Sequence, residues 1–220
     1  MKAEEAPFPA SWWGTGLASA GVAARPDVGT YGRYSFAELP PLPFSLNGDF
    51  GWLREQAAHD AWAINENGGT HEELPLLRSA CEAAGLALPD SFVRFMSTPE
   101  LQERVRSSTA CYLDLDVGSV PSPTGKGHLI RFLADQQGCL FWYLYLTEDG
   151  SEHAVVCTVD LYSHGDEPDP AAEPDEIQFC AESFEAFLCR YWLENEIFFA
   201  EDDEDELPAV AAEYIERYRT

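Results

Sequence analysis

Positive charge is what this chain has least of: 13 lysines and arginines stand against 39 aspartates and glutamates, a formal net charge of −26. A surface of that sign repels nucleic-acid phosphates and anionic membranes, and it speeds association with a basic partner. The imbalance is uneven, with seventeen acids and one base, Arg190, between Asp160 and Glu206. A plain alternative is that the acids only keep the chain solvated. Long apolar runs are missing too, since no stretch reaches the ~18 residues of a membrane span. At the N-terminus, Glu4, Glu5 and Pro7 interrupt what a signal peptide needs as an apolar core. Cytoplasmic residence is the expectation. Six cysteines are present without a Cys-x-x-Cys pair and mostly inside apolar runs. That pattern favours buried free thiols over a disulfide framework.

Catalytic motifs are equally scarce. The glycine-rich stretch Pro123–His128 lacks the spacing of a phosphate cradle, and no Gly-x-Ser-x-Gly elbow occurs. No two of the five histidines fall at i, i+3 or i, i+4 to make a metal face on a helix. His71-Glu72-Glu73 reads as a solvated turn before it reads as a ligand cluster. Acidic Glu201–Glu206 lacks the alternating ligands and central glycine of an EF-hand loop. No cofactor, metal or catalytic residue is therefore expected. Cys139 and His153 would be a nucleophile and base only if they faced each other across a hairpin; a core pairing is the plainer reading. Asp114 and Asp116 could flank a site on strand ends.

What the chain does have is His128–Val159, three apolar runs cut by two polar turns. Its β-branched and aromatic residues predict a three-strand antiparallel meander. Asp149-Gly150 is the hairpin signal in the second break. The middle run, Cys139–Leu146, shows no polar alternation, so it should be a central strand covered on both faces. At 220 residues a single elaborated domain is expected.

Residues 1 to 48, dense in Gly, Pro and aromatics, predict an irregular arm packed on the core, with Trp12-Trp13 buried or exposed as a binding wedge. Residues 49 to 220 form the domain. Helices are predicted from Asp49 to Ile64 with Asp49 as N-cap, from near Pro75 to a stop at Gly85, from Asp90 or Ser91 through Met96, and from Pro99 to Ser107. Cys111–Leu115 reads as a strand and Val120–Gly127 as a loop. An aromatic helix is predicted from Ser183 and a last one from Leu207 to Tyr218, broken between them at the acidic run. The fold class is α+β, a mainly antiparallel sheet flanked by helices.

Three of these segments, taken in order, give a family resemblance. Leu88-Pro89-x-x-Phe92-x-x-Phe95 looks like the helix entry of the SUKH superfamily, which includes bacterial immunity proteins and a yeast cell-wall-synthesis regulator. The meander with Trp142 and the helix Ser183-Phe184-Glu185-Ala186-Phe187-Leu188 are similar to its later elements. The resemblance covers roughly residues 74 to 200. The Asn-Gly or Gly-Gly usual after the entry helix is replaced by the segment at Pro99, and residues 1 to 48 have no counterpart. It implies a non-enzymatic role, binding and neutralising a toxin domain, often a nuclease.

The leading expectation is thus an acidic, cytoplasmic immunity protein that binds a basic toxin domain, and neither nucleic acid nor membrane. The acids nominated for the interface are Asp135, Glu148, Asp149, Glu201, Asp202, Asp203, Glu204 and Asp205. A regulatory scaffold for host proteins and a carboxylate-based enzyme are the alternatives. A buried carboxylate of raised pKa in a polar-lined cavity would favour the enzyme.

Overall fold

The meander is present with the expected boundaries almost unchanged. A computed structural model describes residues 1–15, 25–28, 30–66, 70–165, 176–202 and 209–218. In it the large sheet runs β4 (Tyr112–Leu113), β6 (His128–Ala134), β7 (Phe141–Leu146), β8 (His153–Thr158), β9 (Gln178–Ala181), with β5 (Val120–Pro121) also paired to β6. All these pairings are antiparallel. β7 lies at the centre, and its residues divide by parity. Trp142, Leu144 and Leu146 join the core beneath the helices, while Tyr143 and Tyr145 join a second core on the opposite face. That division explains why the run carries no polar alternation. In β6 a bulge at Phe132 breaks parity, so Phe132 and its neighbour Leu133 both enter the helix-side core.

Residues 1–10 cover the second face. Phe8 meets Tyr145 edge to face at 5.0 Å, and the Phe179 amide donates to Pro9 O at 2.8 Å, so the chain lies along the outer edge of β9. Contrary to the expected irregular arm, the N-terminal region then forms a small antiparallel sheet in the order β1 (Ser11–Gly14), β3 (Tyr31–Ser35), β2 (Arg25–Val28). Glycine and proline exclude long elements, but four- and five-residue strands form with Gly14, Pro26 and Gly32 among their residues. Trp12 is 1% exposed and packs on Phe187. It is a core residue, which removes it from any exposed wedge.

Two helices are shorter than predicted, and for one reason. α1 covers Gly51–Arg54 and α4 Pro99–Gln102. Beyond them the backbones of residues 59–64 and 103–107 bond to each other: His59 N to Glu103 O at 2.8 Å, Ile64 N to Val105 O at 2.9 Å and Ser107 N to Trp62 O at 2.9 Å. Helical spacing over Phe50, Leu53, Ala57 and Ala61 suggested one long face, yet only Phe50 and Leu53 are buried; the alanines are exposed. A methyl group contributes too little burial to outweigh the alternative backbone pairing. Asp49 does not cap α1 from the N-cap position, which Phe50 occupies with φ 58°, but its carboxylate accepts from Gly51 N at 2.8 Å.

The remaining helices are α2 (Glu73–Ala83), α3 (Asp90–Met96), α5 (Phe184–Asp202) and α6 (Ala209–Tyr218). α2 stops at Gly85, whose φ of 73° lets Leu86 N return to Cys81 O at 2.8 Å. β4 is two residues rather than five, because Asp114 and Asp116 donate to β6 outside regular register. The expected start of α6 at Leu207 and most of the acidic break lie outside the described residues. All six cysteines are free, five of them buried. Among the described residues, no helix is long and apolar enough to cross a membrane.

α5 organises the rest. From Phe184 to Ala200 every residue but the half-buried Phe198 is buried, so this stretch carries no one-sided apolar stripe. Its polar residues each hold a different segment. Glu185 accepts from Gly48 N at 2.5 Å, Phe50 N at 3.2 Å and Trp52 Nε1 at 3.1 Å. Glu194 accepts from Trp12 Nε1 at 2.7 Å, and Asn195 from Ser108 N at 2.7 Å. Glu196 holds Arg106 bidentately at 3.0 and 2.9 Å, with His59 at 3.3 Å. Arg190 donates to Pro40 O at 3.2 Å and to the Tyr214 hydroxyl of α6. A Cβ on Gly14 would overlap both Glu194 Oε2 and Trp12 Nε1. Gly14→Ala is expected to lower stability by about 1–3 kcal/mol, as overpacking does. Equilibrium urea unfolding measures this, and an unchanged midpoint would mean that β1 does not close on α5.

Candidate functional site

The hairpin joining β7 and β8 ends in a tightly bonded turn. Gly150 takes φ 66° and its amide donates to Thr147 O at 2.8 Å. Asp149 Oδ1 accepts from Thr147 Oγ1 at 2.8 Å, Ser151 N at 3.1 Å and Ser151 Oγ at 2.7 Å. Those donors stabilise the charged form and hold the Asp149 carboxyl down at about 2. Glu148, Asp149 and Glu152 are exposed. A rigid backbone thus presents three acids at one tip.

That tip leans on the chain between α2 and α3, where a Cβ at Gly150 would come within 3.3 Å of Ala87 N. The two meet around a cleft of about 420 Å³. Asn47 and Gly48 form one wall, Leu88–Ser91 with Arg94 a second, and Gly150–His153 a third. Glu185 of α5 fixes the first wall from inside through Gly48 N. Asp49 stands beside that wall, its carboxyl held below the ordinary range chiefly by the Gly51 amide and Asn47. Two exposed acids, Asp90 and Glu152, line the cleft against one guanidinium, Arg94, and Asp49, Glu148 and Asp149 are close in sequence to its lining residues. The cleft suits a cationic group entering from solvent. His153, at the inner end, is held neutral by burial, which pushes its pKa down to about 4.

Of the acids nominated from sequence, Glu148 and Asp149 are exposed on the hairpin turn next to this cleft, and Glu152 is the acid of that turn that lines it. Asp135 lies elsewhere. It is 5% exposed, its Oδ2 accepts from Tyr31 Oη at 2.6 Å, and its Oδ1 accepts from Gln137 N at 2.8 Å. It closes the β6–β7 turn onto β3 and faces away from any partner, as aspartates that bond their own turn do. Glu201 and Asp202 fall in the last turn of α5; Asp203, Glu204 and Asp205 lie outside the described residues. Asp90, Glu152 and Arg94 were missed. The signal available for Glu152 was its place three residues past Asp149, on the same turn.

The other candidates resolve into structural roles. β7 and β8 pair Leu146 with His153 and Phe141 with Thr158, so Cys139 and His153 sit at opposite ends of the hairpin rather than face to face. Asp114 and Asp116 flank Arg131 at 2.7 and 3.7 Å, and Asp116 also accepts from His164 N at 2.8 Å, tying down the loop after β8. A buried carboxylate of raised pKa does exist: burial pushes Glu194 up to about 8, against the lowering effects of Trp12, Arg190 and Tyr214. It does not line the hairpin cleft, and Gly14 packs against its oxygen. Among the described residues, no group of three or more His, Cys, Asp or Glu side chains is placed to hold a metal ion. No family model matches the chain, and no curated protein or solved structure matches it either.

Proposed function

We propose that the protein is a non-catalytic binding module for a basic protein, acting as an immunity protein that neutralises a toxin domain in the cytoplasm. One observation carries the reading: a hairpin tip with three exposed acids, Glu148, Asp149 and Glu152, adjoins a cleft lined by Glu152 and Asp90, in which the one lining base is Arg94. Such a site attracts a lysine- or arginine-rich surface and raises its association rate, and the preformed turn reduces the ordering cost of binding. The Leu88-Pro89 helix entry lines this cleft, and the α+β fold agrees with the SUKH resemblance.

The test is coexpression with a toxin domain encoded beside the gene. Wild-type protein is expected to restore growth and to bind the domain with a salt-sensitive association rate. Glu148→Lys/Glu152→Lys should slow association at least tenfold at low salt without lowering the melting temperature, since both side chains are exposed. No protection, or protection indifferent to the double reversal, would set this reading aside.

A further inference from the structure

Trp62 is the residue the fold treats most unlike its chemistry. It is 54% exposed, and its backbone φ of 64° lies in the left-handed region that a bulky side chain rarely adopts. That conformation is imposed from both sides. His59 N bonds Glu103 O, Ser107 N bonds Trp62 O, and Ile64 N bonds Val105 O, while Ala63 bridges Arg106. The pinned strap turns the indole outward. Neither the strain nor the exposed ring stabilises the folded chain, and strained, over-determined positions of this kind cluster at functional sites.

The charge around the ring identifies the occupant. Asp60, Glu66 and Glu103 are exposed on the same strap and its partner segment. The nearby bases are already held: Arg104 donates to Gln56 O, and Arg106 is bidentate on Glu196 with its guanidinium 4.1 Å from the Phe199 ring centroid. Among the described residues, no ring or guanidinium lies over the Trp62 indole. An electron-rich face on a strap whose exposed charges are Asp60 and Glu66, with Glu103 on the paired segment, fits a guanidinium or ammonium stacked on the ring. Arginine, planar and weakly hydrated, fits best.

We infer that Trp62 is an aromatic anchor for an arginine-bearing segment of a protein partner, separate from the hairpin cleft. The two surfaces are bound by opposite parts of α5: Glu185 fixes the cleft wall, and Glu196 holds the Trp62 strap through His59 and Arg106. The eleven helical steps from Glu185 to Glu196 correspond to about 16 Å. The inference rests on the proposed basic partner and adds a second contact to it.

The experiment uses full-length protein carrying 5-fluorotryptophan and a hexa-arginine peptide as the probe. Fluorine NMR resolves the six tryptophans, and loss of one resonance in Trp62→Phe assigns it. Hexa-arginine is expected to move the Trp62 resonance while hexaglutamate does not. Peptide affinity should fall at least tenfold in Trp62→Ala and be partly restored in Trp62→Phe. Trp62→Gly, which suits the left-handed backbone, should melt at the wild-type temperature or higher and bind as weakly as Trp62→Ala. A lower melting temperature for Trp62→Gly would make the ring a structural element and overturn the proposal. So would peptide binding kept in Trp62→Ala and lost in Glu148→Lys/Glu152→Lys, which would place the peptide in the hairpin cleft. A dimer dissolved by Trp62→Gly with peptide binding unchanged would assign the indole to a second copy of the chain, and would also overturn it.

Discussion

Replacing Phe184 by alanine is expected to destabilise the protein by about 3–5 kcal/mol, the range for emptying a buried aromatic site. Phe184 is 0% exposed at the start of α5. Its ring lies 4.9 Å from Phe92, 5.2 Å from Phe132, 5.7 Å from Phe95 and 6.4 Å from Phe50, centroid to centroid. All four contacts are edge-to-face, a geometry aromatic pairs favour. The four partners come from the turn before α1, from α3 twice and from β6, so one ring ties three segments to α5. Relaxation around the cavity is limited, because each neighbour is itself buried and packed on another. Urea unfolding of Phe184→Ala and Phe184→Leu is the measurement. A loss below about 1 kcal/mol for alanine would contradict the packing described, since even a buried Ile→Val change usually costs that much.

Glu194→Gln is expected to reverse sign with pH. In the folded protein burial holds the carboxyl neutral up to about pH 8, whereas in the unfolded chain it ionises near 4.5. Between those values the native state keeps a proton that the unfolded state has released. Wild-type stability therefore falls as pH rises through this window, by up to about 1.4 kcal/mol per pH unit, and levels off above it. Glutamine does not titrate, and its carbonyl can still accept from Trp12 Nε1. Relative to wild type, the variant should gain steadily from about pH 4.5 to about 8, and by pH 8 it should be the more stable of the two by several kcal/mol. Melting curves collected between pH 5 and 9 would show the two lines converging, crossing and separating. Parallel lines would mean that Glu194 is ionised in the native state, stabilised by Arg190 more strongly than burial opposes it. Glu194→Ala is a different experiment, because it leaves the Trp12 indole N–H without its acceptor and adds a cavity.

Legibility in the sequence followed the size of the physical signal. The meander was legible because Asp149-Gly150 marks a turn and because eight residues without polar alternation can only be a strand covered twice. The α5 segment was legible from its aromatic spacing. The helix expected over Asp49–Ile64 ends at Arg54, since alanines at positions 57 and 61 satisfy helical spacing without supplying buried area, and the competing backbone bonds come from a segment about forty residues away. The small N-terminal sheet was hidden by its punctuation, Gly14 and Gly32 sitting inside strands. Acids were the hardest to read. Glu185, Glu194 and Glu196 look like solvated charge in the sequence, yet all three are buried and hold the fold together. Asp135 looked like a surface acid for the same reason. The tip acids Glu148 and Asp149 were correctly placed outside because the turn type itself forces exposure.

The way α5 gathers its anchors also sets an order of assembly. Trp12 waits for a carboxylate 182 residues further along, Pro40 for a guanidinium 150 residues away, and Gly48 for an acceptor 137 residues away. At ~5–20 residues per second, synthesis leaves those N-terminal segments without their partner for roughly seven seconds or more. Their aromatic surface stays uncovered throughout, and closing loops of this length makes the final docking slow. The meander, whose strands are adjacent in sequence, can pair before α5 emerges. It would serve as the template on which α5 lands, after which the earliest part of the chain would be the last to be locked in place.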